Sequence, residues 1–139
     1  MPFIYKVFGS SVTVVPIIVG ATNMKIAEEY GKLFAPYFQR EDTIFIISSD
    51  FCHWGDHFDY QPTEQGVPIW KTIEKMDHQG MGLIEKNDIE GFDTYIEKTG
   101  NTICGEHPIR ILMSIVKHSP LASTTKFVKY AQSEQVTTE

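Results

Sequence analysis

Apolar residues recur along this chain with two different periods, and the switching between them is the first structural information it offers. Val12–Val19 is dense in β-branched residues, lies between Ser10-Ser11 and Gly20, and reads as a buried strand with Pro16 at an irregular or edge position. Thr43-Ile44-Phe45-Ile46-Ile47 is almost continuously apolar, the pattern of a strand covered on both faces in a parallel sheet. Lys126–Ala131 closes the order as a third expected strand.

Between these runs the spacing changes to three and four. Asn23 can cap a helix through Met24, Ile26, Ala27, Tyr30, Leu33, Phe34 and Phe38, with Pro36 kinking or shortening its last turn. A helical pattern resumes near Thr63 and runs through Ile69, Ile73, Met76, Leu83 and Ile84, with Gly80 and Gly82 as points where it can divide. A shorter helix follows Asn87 or Asp88 through Ile89, Phe92, Tyr95 and Ile96, and Gly100 stands where a left-handed cap falls. Pro108 suits the first turn of the best-signalled helix, which carries Ile109, Leu112, Met113 and Val116 and has Lys117 and His118 at its negative end. Strands alternating with helices predict an α/β architecture, a three-layer sheet with helices on both faces.

Composition narrows the possibilities. The 139 residues fit one domain, and 42% hydrophobic with 22% charged is ordinary for a chain that buries a core. A net charge of -6 without a Lys/Arg cluster argues against nucleic acid as a partner. The longest apolar stretch falls well short of the roughly 20 residues that span a bilayer, and the first residues do not read as a secretory signal, so a cytoplasmic chain is expected. Two cysteines, Cys52 and Cys104, are too few for a disulfide framework, which leaves them as thiols for metal or redox chemistry or as plain core residues.

Candidate chemistry gathers in two places. Ser48-Ser49-Asp50-Phe51-Cys52-His53-Trp54 leaves the carboxyl end of an expected central strand, where open α/β sheets bind ligands. The aperiodic stretch from Phe51 to Pro62 is long for a compact domain, as functional loops are. At a separation of three, Asp50 can accept an N–H from the His53 imidazole, although such a pair is more often a satisfied turn beside a half-exposed histidine. His57 and Asp59 extend the polar cluster and read equally well as solvated surface. Cys104 stands just before a helix, whose amino end favours a thiolate, and His107 follows at a spacing compatible with a second ligand. The residue types allow a redox metal site or a Cys-His-Asp nucleophilic centre, and spacing alone does not choose.

The string Ile46-Ile47-Ser48-Ser49-Asp50-Phe51-Cys52-His53-Trp54-Gly55 resembles the signature of the Memo family, mediators of receptor-tyrosine-kinase-driven cell motility. Ile17-Ile18-Val19-Gly20-Ala21, Gly31-Lys32-Leu33-Phe34, Gly80-Met81, Asn101-Thr102-Ile103-Cys104-Gly105 with His107-Pro108-Ile109, and Tyr130-Ala131-Gln132-Ser133 resemble further segments in the same order. The resemblance divides the chain into an unmatched segment, residues 1–13, a Memo-like α/β domain corresponding to the C-terminal half of the family fold, residues 14–133, and a polar tail, residues 134–139.

That resemblance implies a fold shared with class III extradiol dioxygenases, a metal pocket, and a signalling role. It implies Asp50, His53 and Cys104 as the catalytic set, Cys104 and His53 as metal ligands, and Trp54, Cys52 and His107 as ligand-binding residues. Iron or copper is the implied cofactor, held weakly because two histidine ligands of the family belong to its N-terminal half. The implied partner is a phosphotyrosine peptide of a receptor tyrosine kinase. A half-fold with bare strand edges further predicts self-association or pairing with the missing half. Copper- or iron-dependent redox chemistry is the alternative activity, and a thiol enzyme with Cys104 as nucleophile and His53 as base is a third.

Overall fold

The structure, a computed structural model, describes residues 2–137. Five α-helices follow one another: α1 (Pro2–Phe8), α2 (Met24–Phe38), α3 (Ile69–Glu85), α4 (Ile89–Thr99) and α5 (Glu106–His118). Local signals account for most of their ends. The Asn23 side chain accepts the Ile26 amide at 3.0 Å and so satisfies a donor at the start of α2. Pro36 lies in the last turn of α2, which ends two residues later at Phe38. Asp88 caps α4 by accepting the Gly91 amide at 2.9 Å, and Gly100 ends it in the left-handed conformation, φ 62.

The third helix starts later than the periodicity predicts. Glu64–Val67 form a turn with Gly66 at φ 76, and Pro68, which lacks an N–H, stands as the N-cap, so α3 begins at Ile69 rather than near Thr63. Gly80 and Gly82 do not divide it. A Cβ on Gly80 would lie 3.0 Å from the Tyr95 ring, so that glycine serves the close approach of α3 to α4.

The helices enclose two apolar clusters. Ile89, Phe92 and Tyr95 of α4 join Ile103 and the Ile109 and Met113 of α5 in the larger, with Met76, Leu83 and Ile84 of α3 against it. Ala27 of α2 and Ile111 and Ile115 of α5 form the smaller, where Phe34, Phe38 and Phe45 pack. Burial of each large side chain is worth about 1.5–3 kcal/mol, so α4 and α5 hold most of the stabilising material. The crossing of α2 on α5 is tight: a Cβ on Gly31 would run into the Ser114 side chain, so any larger residue there forces the helices to shift.

The expected three-layer sheet is absent. Among the described residues there is no β-strand, and the only pairing is an isolated bridge between Gly55 and Tyr60. Val12–Val19 is mostly exposed rather than buried, with Ile18 at 99%, and only Val19 reaches the smaller cluster. Thr43–Asp50 does alternate: Thr43, Phe45, Ile47 and Ser49 turn inward while Ile44, Ile46, Ser48 and Asp50 face out. This is the period of extended backbone. Lys126–Ala131 likewise turns Phe127 onto Phe51 and leaves Val128 exposed. The β-branched runs therefore favour an extended chain, but no neighbour supplies the ladder that would make a strand, and helices cover one side only. α1, which the sequence did not signal, buries nothing, and Phe3, Tyr5 and Val7 are exposed.

Candidate functional site

Asp77 organises the loop that carries the candidate chemistry. This residue is buried within the apolar stripe of α3, at 3% exposure. Its carboxylate accepts the Cys52 amide at 3.2 Å, the Asn101 side-chain amide at 3.1 Å and the Tyr130 hydroxyl at 2.9 Å. An uncompensated buried carboxylate is strongly unfavourable, so these three donors are what allow the charge to remain inside. They also fix residues 50–54 against the turn preceding α5 and against the chain near Tyr130.

A second clamp sets His53. The Thr102 hydroxyl accepts the His53 amide at 2.7 Å and donates to the His53 carbonyl at 2.8 Å. The Thr102 carbonyl lies 2.9 Å from His53 Nδ1 and can only accept, so Nδ1 carries the proton. Nε2 of the neutral ring is then a lone pair, 4.0 Å from Asp50 Oδ2. The orienting acceptor expected at Asp50 is therefore the backbone of Thr102, while the Asp50 carboxylate is largely in solvent. Phe58, from the short 3-10 turn Asp56–Phe58, lies 5.0 Å from the imidazole, and the Trp54 indole anchors the loop by donating to Pro62 O at 3.2 Å.

Cys104 joins this group from a distant point in the chain. Its exposed sulfur accepts the Asp50 amide at 3.1 Å and lies 3.9 Å from Ser49 Oγ, two residues ahead of the first residue of α5. Gly105 makes the approach possible: its amide donates to Ser49 Oγ at 3.0 Å, and a Cβ there would stand 2.4 Å from Ser49 Cβ. Asp50, His53 and Cys104 thus share one surface. No hydrogen bond joins the His53 ring to the Cys104 sulfur among the described residues; their partners are Thr102 and Asp50 respectively.

The two cysteines differ sharply. Burial, reinforced by the negative charge of Asp77, pushes the Cys52 thiol up to about 12, so Cys52 remains a neutral thiol and is a poor ligand or nucleophile. His107 is also diverted. Its Nδ1 accepts from Arg110 at 3.0 Å and from the Thr22 amide at 3.4 Å, and its Nε2 faces Glu106 at 3.3 Å. Arg110, itself buried, pairs with Asp93 at 2.8 Å. His107 therefore ties α5 to the segment before α2, and Arg110 ties α5 to α4.

An iron or copper ion asks for more donors than these residues bring together. Among the described residues no three His, Cys, Asp or Glu side chains gather closely enough to hold a metal. Asp77, which holds the Cys52 amide, lies outside every motif, and Thr102 lies inside the Asn101–Gly105 segment without its clamp on His53 being legible there. The signal for Asp77 was available: a single acid in register with Ile69, Ile73, Gly80 and Met81 on the inward stripe of a helix.

The sequence model of the family described as Memo-like protein matches residues 1–139. The chain is 40% identical over 143 residues to the protein memo-1 homolog of Caenorhabditis elegans, covering 98% of this chain and 41% of that protein. It is 43% identical over 127 residues to protein MEMO1 of Danio rerio, covering 88% and 43%, and 40% identical over 142 residues to protein MEMO1 of Xenopus tropicalis, covering 97% and 48%. The chain thus spans less than half the length of these relatives. With the match running its full length, the chain belongs to the Memo family.

Proposed function

We propose that this chain is a Memo-like binding module in signalling from receptor tyrosine kinases to cell motility, and that Asp50, His53 and Cys104 form the surface through which it binds rather than turns over a ligand. The observation that carries the reading is the meeting of Cys104 with Asp50 across 54 positions of sequence, on a surface whose donor set is too small for a tightly held metal. The ligand proposed is a phosphotyrosine peptide. In its protonated form His53 offers Nε2–H to a phosphate oxygen, and the start of α5 adds a favourable dipole.

Titration calorimetry with a phosphotyrosine peptide at low ionic strength tests this directly, because screening is then weakest. Binding that weakens in His53→Ala and vanishes with the unphosphorylated peptide is the expected result. Silence at millimolar peptide removes the proposal.

Copper- or iron-dependent redox chemistry is the second reading, favoured by the exposed Cys104 sulfur and by the His53 lone pair at Nε2. Elemental analysis after anaerobic purification decides it: metal content that is equal in the native chain and in Cys104→Ala excludes a site built on that sulfur. The thiol-enzyme reading has less support, since His53 has no hydrogen bond to Cys104 with which to act as its base.

A further inference from the structure

A cavity of about 290 Å³ opens between the start of α3 and the last described residues, and its lining shares no residue with the Asp50, His53 and Cys104 surface. Trp70 and Tyr130 supply its aromatic wall, and Glu74 and Glu134 its charge. Among the described residues no Lys, Arg or His lines it, and neither carboxylate takes part in an ion pair. The wall is set in place by hydrogen bonds. Gln132 Nε2 donates to the Tyr130 hydroxyl at 3.0 Å and to the Trp70 carbonyl at 2.9 Å, while the Tyr130 hydroxyl donates to Asp77 at 2.9 Å. The Trp70 amide, one of the donors left over at the start of a helix, is taken by the Val136 carbonyl at 3.3 Å. Little ordering is therefore left for a ligand to impose. The Trp70 ring already receives one cation: Lys71 Nζ, from outside the cavity lining, stands 5.3 Å from its centroid.

We infer that this cavity binds a small quaternary ammonium group. Its chemistry selects that class by exclusion. An anion meets two carboxylates, and both amide hydrogens of Gln132 are already committed to Trp70 and Tyr130. A neutral apolar molecule takes water from Glu74 and Glu134 and returns no partner. A bare metal ion asks for several oxygen ligands at short range, whereas half of this wall is aromatic. A quaternary ammonium carries its charge on an apolar shell of methyl groups, so it satisfies ring faces and carboxylates together without offering a hydrogen bond. The volume stands at the low end of the roughly 300–1,000 Å³ of small-molecule pockets, which suits a headgroup rather than a large ligand. This inference rests on the cavity's own residues and is independent of the phosphotyrosine reading, whose ligand has the opposite charge.

The test is a titration of the full 139-residue chain with choline chloride, read at the indole N–H signals of its two tryptophans, Trp54 and Trp70, which Trp70→Phe assigns. The Trp70 signal is expected to move and saturate in the millimolar range while that of Trp54 stays in place. Choline is expected to bind at least about fivefold more tightly than its uncharged isostere, in which carbon replaces the nitrogen. Glu134→Gln, at an exposed position, is expected to weaken choline about twofold to fivefold. A Trp70 signal that does not move at about 50 mM choline, where a millimolar site is filled, overturns the inference. So does equal movement of both indoles, a smaller preference over the isostere, or unchanged affinity in a folded Glu134→Gln. If that variant loses its helical circular dichroism, the preference over the isostere in the native chain decides alone. Free Nε-trimethyl-lysine, titrated in parallel, distinguishes the source: tighter binding than choline assigns the group to a methylated lysine side chain, weaker binding to a free small cation, and either supports the site.

Discussion

The helical layer and the extended segments of this protein are built from equally apolar sequence, yet only one of them is finished. In α4 and α5 the backbone bonds are closed within a few residues, and packing then needs only one face; Phe92 and Ile115 reach 0% and 1% exposure. In Val12–Val19 and Thr43–Asp50 the backbone bonds must come from a neighbour, and side chains as large as Ile18 stay in solvent. The lesson is that apolar content decides burial only after the main chain has found its partners.

The contrast is sharpest at the centre of the helical layer. Phe92→Ala is expected to remove about 3–5 kcal/mol, seen as a lower urea midpoint with an unchanged slope. A loss below about 1 kcal/mol breaks the claim that α4 anchors the core. Gly31→Ala comes next: with Ser114 in the way, overpacking at the α2/α5 crossing is expected to cost about 1–3 kcal/mol, although alanine is the better helix former. Unchanged or raised stability would mean that the crossing is looser than described.

Alkaline pH probes the same layer by charge. Burial raises Cys52 from 9.0 to about 12 and Tyr60 and Tyr95 from 10.0 to about 12. Each group is neutral when protonated, so the folded chain holds these protons after the unfolded chain has released them. The contribution of these groups is therefore constant below about 9 and falls between about 9 and about 12, and Cys52→Ser is expected to move the onset of that fall upward. Thermal melts from pH 8 to 11 measure it. The smallest effect belongs to the extended layer: Ile46→Ser, exposed and without a partner in the isolated chain, is expected to lie within about 0.5 kcal/mol of the native protein. A larger loss would show that the face is already covered.

The same difference explains what could be read from sequence. The caps at Asn23, Asp88 and Gly100 and the stripe of α4 are local, and local rules place them, whereas α5 buries Ile111 and Ile115 outside the expected row Ile109, Leu112, Met113 and Val116, and α2 leaves Tyr30 and Leu33 exposed. The start of α3 shifts because Pro68 and the turn at Gly66 override a periodic pattern that runs past them. The continuous apolar run Thr43–Ile47 reads as a strand covered on both faces, yet its burial alternates and helices cover one side only; the number of neighbours a strand has is not encoded within the strand, and the expected sheet does not exist. At the site, the motifs drew attention to Asp50, His53 and Cys104, and the structure places them together. Thr102 and Asp77, the groups that hold them, act through hydrogen bonds 49 and 25 positions apart, beyond any spacing rule.

Asp77 also has a consequence in time. Its partners Asn101, Cys52 and Tyr130 lie 24, 25 and 53 positions away, so its network closes only after loops of those lengths have closed. Long loop closure is a slow and late event in folding. The Cys52 amide, locked on Asp77, is accordingly a reporter of tertiary closure rather than of helix formation, while the α2/α5 crossing at Gly31 and Ser114 closes a longer loop still.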